Sequence, residues 1–157
     1  MTALAAQVLD ETSPNASAAD FLTPVTLKAV EKGLAFLALR QQDEGSFGSG
    51  GYSRNVGVCG LAGMAFLAAG STPGRGPYGK HIDLAIDFVL SQADDSGFIA
   101  VAGSPSHGPM YGHGFATLFL AECYGMTRRG DIRQKLTRAV QLIVDTQNNE
   151  GGWRYQP

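Results

Sequence analysis

The chain has 157 residues, the length of one ordinary domain, and 44% of them are hydrophobic, enough to build a core. Charged residues make up 17% and the net charge is −2, so there is no basic face for a nucleic-acid partner. The two isolated cysteines, Cys59 and Cys123, exclude a disulfide scaffold or a CxxC zinc module. No uninterrupted apolar run reaches the ~18 residues of a membrane span, and the acidic start lacks signal-peptide character, so a cytoplasmic location is the default expectation.

Residues 1–22 are rich in Ala, Ser, Thr and Asn and read as a poorly ordered tail, with a short helix near Leu4–Leu9. Thr23 then offers an N-cap and Pro24 a first helical position. The helix expected over 24–42 carries Leu27, Val30, Leu34 and Leu37 at helical spacing. Residues 55–69 carry no charge, and residues 114–124 carry only Glu122. Segments apolar on every side are buried on every side. They are expected to form inner helices, and the amphipathic segments 24–42, 80–92 and 131–147 outer ones. The Gly- and Pro-rich stretches 71–79 and 103–112 read as loops. Of the 21 glycines, all but Gly33 lie between Gly45 and Gly152, which points to close helix packing and repeated tight turns.

The outer segments end alike: Gln41 to Gly45 to Phe47, Gln92 to Gly97 to Phe98, and Gln147 to Gly151 to Trp153. In each, the aromatic lies six residues after the glutamine. The glutamines are 51 and 55 residues apart (41 to 92 to 147). Counting back 4, 7 and 11 residues from each reaches Leu37, Leu34, Val30; Phe88, Ala85, His81; and Ile143, Val140, Leu136. A glutamine on the inward stripe at a helix end can tie loose carbonyls to the following turn. The glycine allows the reversal, and the aromatic packs back on the helix.

Alternating helices joined by such turns resemble the α/α-toroid of terpenoid cyclases and protein prenyltransferase β subunits. Residues 147–153 match the QW motif of that family in full. Residues 41–47 match with Phe for Trp, and residues 92–98 keep the spacing with the glycine displaced. The resemblance covers residues 24–157 and implies an all-α fold of alternating outer and inner helices. About two and a half helical hairpins are present, so the implied ring is incomplete.

The resemblance also implies an isoprenoid or other apolar ligand. The cyclase DxDD acid is absent, and Asp94-Asp95 falls in a turn. The Asp-x-Cys zinc pair of prenyltransferases is absent too, so no zinc or other cofactor is expected. Whether this chain catalyses anything alone stays open. His113-Gly114-Phe115 looks like the His-Gly-Gly-Tyr stretch that opens an inner helix and holds a diphosphate in those β subunits. His113, Tyr111 and Arg54 are therefore the candidate anion-binding rim at the inner-helix N-termini; His107 reads as a loop residue. The alternative is a non-catalytic helical repeat scaffold for protein partners. The unpaired last outer segment further suggests self-association or a longer native chain.

Overall fold

The computed structural model describes residues 22–103 and 108–157. The expected tail helix near Leu4–Leu9 and His107 lie outside them. The fold is all-α. Among the described residues five helices run in order: α1 (Pro24–Arg40), α2 (Val56–Ala68), α3 (Gly79–Ser91), α4 (Pro109–Tyr124) and α5 (Gly130–Asp145), with a 3-10 turn at Gly50–Tyr52. Among the described residues, β pairing is limited to isolated bridges, one of them between Ala93 and Ile99. Two compact units divide the chain between Phe36 and Leu37.

Most of α1 belongs to the first unit. The Thr26 amide donates to Thr23 Oγ1 at 3.2 Å, so the cap forms where the sequence places it. The expected inward stripe is only partly buried: Leu34 is covered, but Leu27 and Val30 are about half exposed.

In the second unit, α2 and α4 pack face to face, with α3 against α2 and α5 against α4. Three glycines on one stripe of α2 set the inner contact. A Cβ on Gly57 would lie 3.0 Å from Gly112 Cα, and one on Gly60 would lie 2.7 Å from the Phe115 carbonyl oxygen; one on Gly63 would run into the Phe119 ring. The partner's numbering rises with that of α2, so the two helices run parallel. Without side chains at these positions the backbones approach closely.

Two expectations are corrected, one boundary and one buried face. Helix α4 opens at Pro109, inside the stretch read as a loop, because proline suits the first helical turn. His113 therefore lies one turn inside α4 and does not open it. In α5 the buried residues are Ile132 and Ala139, while Val140 is 45% exposed. The inward stripe is thus rotated by one residue from the expected Leu136, Val140, Ile143.

Candidate functional site: an apolar groove along α4

The three turns that follow α1, α3 and α5 share one hydrogen-bond pattern. The amides of Gln42, Asp94 and Asn148 donate to the carbonyls of Ser46, Phe98 and Gly152, four residues on. The amides of Gly45, Gly97 and Gly151 donate back to Gln42, Asp94 and Asn148. These three glycines have φ of 91°, 92° and 82°, a conformation that glycine adopts without steric cost.

This pattern corrects the middle repeat. Ala93, not Gln92, stands where Gln41 and Gln147 stand, and Ile99, not Phe98, stands where Phe47 and Trp153 stand. The Gln41 amide nitrogen donates to Gly45 O at 3.1 Å and to His81 O at 2.9 Å, while His81 Nδ1 donates to Gln41 Oε1 at 2.5 Å. Gln147 reaches Gly151 O at 2.9 Å. Gln92 reaches only the adjacent Ser91 hydroxyl. In its place, Asp94 Oδ1 accepts the amides of Ser96 and Phe98. Lys135 Nζ also donates to the Leu90 carbonyl at the end of α3.

His113 belongs to the same repeat architecture. It is fully buried. The Ile99 amide donates to its Nδ1 at 3.1 Å, and its Nε2 donates to the Ala139 carbonyl at 3.2 Å. The ring is therefore the neutral tautomer protonated on Nε2, and burial holds its pKa below the usual value. With both nitrogens engaged inside the fold, the ring offers no donor to an anion. The Met110 amide at the start of α4 also donates inward, to the Tyr155 carbonyl at 3.2 Å.

The other two expected rim residues have partners of their own. Arg54 has a left-handed backbone (φ 56°), its Nε lies 3.8 Å from Glu44 Oε1, and its guanidinium sits 5.8 Å over the Phe88 ring. Tyr111 is 63% exposed and rests its ring 5.7 Å from that of Tyr155. His113 thus spends both ring nitrogens on backbone partners, Arg54 pairs with Glu44, and Tyr111 turns to Tyr155. Asn55 is a functional cap that the sequence reading did not single out: its Oδ1 accepts the Gly57 and Val58 amides at 2.9 and 3.1 Å.

An apolar groove of about 390 Å³ runs along α4, lined by Met110, Tyr111, Gly114, Phe115, Leu118 and Ile143 together with Trp153 and Arg154. The Trp153 indole is fixed by a 2.7 Å hydrogen bond from Nε1 to the Ile143 carbonyl. Phe115, Leu118 and Trp153 are each between 42% and 48% exposed, so the apolar lining is open to a partner. Arg154 is the one charged lining residue, and no carboxylate, histidine or thiol lines the groove. Both cysteines are buried, and burial pushes each thiol up to about 12. Among the described residues, no three His, Cys, Asp or Glu side chains gather as a metal site would require. No described helix is long and apolar enough to cross a membrane.

Compared with family models, curated proteins and solved structures, the chain matches none of them.

Proposed function

We propose that this chain is a non-catalytic helical repeat scaffold, built in the manner of an α/α-toroid segment, that binds an apolar partner through the outward face of α4. The observation that carries this reading is the α4 groove itself. It is apolar, half open and anchored by a hydrogen-bonded tryptophan, and no carboxylate, histidine or thiol stands in its lining. Exposed apolar patches of this kind are uncommon on monomers unless something covers them.

A second reading draws on the groove's volume and on Arg154 in its lining: the occupant is an isoprenoid-like chain, the class that the toroid resemblance implies. Trp153 is the single tryptophan of the sequence, so its fluorescence reports on the groove alone. Titration with farnesol should shift and saturate that emission if an isoprenoid is the occupant. Emission unchanged up to the solubility limit of farnesol would remove the isoprenoid reading. Saturable binding by a chain that shows no protein association would remove the scaffold reading.

A further inference from the structure

We propose that the open face of α4 docks α2 of a second copy of this chain, parallel and head to tail. The proposal rests on the scaffold reading and names its partner. It begins from the internal repeat. Cys59 Sγ accepts the Phe47 amide at 3.1 Å, and His113 Nδ1 accepts the Ile99 amide at the same distance. Phe47 and Ile99 are equivalent in their turns, so Cys59 and His113 are equivalent in their helices.

That register transfers the inner contact from one helix to the next. Gly57, Gly60 and Gly63, the stripe by which α2 holds α4, correspond to Tyr111, Gly114 and Thr117. At Gly60 the Phe115 carbonyl would be 2.7 Å from a Cβ; at Gly114 nothing lies within 4 Å. A glycine inside a helix is unfavourable unless something needs the space. The chain supplies that reason at Gly60 and leaves it unfilled at Gly114. Beside it, Thr117 is buried with its hydroxyl unpaired.

The complementary half is also on this chain. Gly112, Phe115, Ala116 and Phe119, by which α4 meets α2, correspond to Val58, Leu61, Ala62 and Ala65. Leu61 is 51% exposed, and Leu118 on the opposite edge is 47% exposed. The α4 edge carries Glu122 and, in its groove, Arg154, while α2 has no charged residue to oppose either of them. On its open edges, at Tyr111, Gly114 and Leu118 of α4 and at Leu61 of α2, each copy thus presents part of an interface that it already builds once within itself. Such a contact is heterologous, so it extends or closes a ring and is not confined to a twofold dimer.

Mass measurement by light scattering tests the proposal, from micromolar to millimolar chain. The wild type should weigh two or more chains. Leu118→Glu and Leu61→Glu each remove one edge and should each weigh one chain. Mixed in equal amounts, the two variants should recover a two-chain species, because each retains the edge that the other lacks. Gly114→Ala, a substitution into open space, should keep the helical circular dichroism and weaken association. A wild type monomeric throughout, a Leu61→Glu variant that associates like the wild type, or a mixture that stays monomeric would each overturn head-to-tail docking. The farnesol titration stands apart from these outcomes, since it reads Trp153 and not mass.

Discussion

Cys59 and His113 do the same work one repeat apart: each side chain accepts the backbone amide of the residue that closes the preceding turn, Phe47 for one and Ile99 for the other. A thiol and an imidazole share little chemistry beyond acceptor capacity and tolerance of burial. The shared contact ties each inner helix to its turn. It also gives His113, expected from the sequence as an anion-binding candidate, a place in the fold.

Removing that acceptor should be costly. His113→Ala leaves the buried Ile99 amide unpaired, which costs about 1–3 kcal/mol, and the cavity left by the ring adds to it. Urea denaturation should show a lowered midpoint with an unchanged slope. A loss below about 0.5 kcal/mol would mean that the ring does not support the fold.

The same residue sets a pH dependence. Its folded pKa is depressed by burial from an ordinary value of 6.5. Below that value the unfolded chain binds a proton that the folded chain refuses. The stability contributed by neutral His113 is therefore fully present above about pH 6.5 and is lost as pH falls toward the folded pKa. Thermal melts from pH 8 to 5 should show a steeper decline for the wild type than for His113→Gln. Parallel curves would contradict the depressed pKa.

The corrected repeat register separates two glutamines that look alike in sequence. Gln41→Ala removes bonds to the Gly45 and His81 carbonyls and should cost about 1–3 kcal/mol. Gln92→Ala removes a contact to its neighbour's hydroxyl and should stay within about 0.5 kcal/mol. Equal losses would restore the register read from spacing alone.

The inner glycines divide in the same way. Gly60→Ala would press a methyl group against the Phe115 carbonyl and should destabilise by about 1–3 kcal/mol through overpacking. Gly114→Ala meets open space and should stabilise the monomer by roughly 0.5–1 kcal/mol through helix propensity. Calorimetry on the monomeric Leu118→Glu background isolates this effect from association.

Both thiols should be inert in the folded chain. With pKa values pushed up to about 12, neither Cys59 nor Cys123 supplies thiolate near neutral pH. Iodoacetamide should label them only on addition of urea; fast labelling of the native chain would show that the inner helices open.

Helix number, helix type and the existence of a repeat were legible along the chain, because periodicity and caps are local properties. The charge-free run 55–69 marks a helix, and Thr23-Pro24 marks the start of another. The one-residue slip in the middle repeat was not legible. Helix α3 is buried around much of its circumference, at Ile82, Ala85, Ile86, Phe88, Val89 and Leu90, so stripes counted from Gln92 and from Ala93 both read as apolar. The role of His113 was also hidden, because its partners Ile99 and Ala139 lie 14 and 26 residues away and meet it only once α4 and α5 have packed. Glycine content announced close packing, but only the parallel contact of α2 with α4 distinguishes the covered Gly60 from the open Gly114. Local sequence fixes which segments coil and where they stop. Which face of a coil meets a neighbour depends on contacts between residues far apart in the chain, and those arise only when the helices assemble.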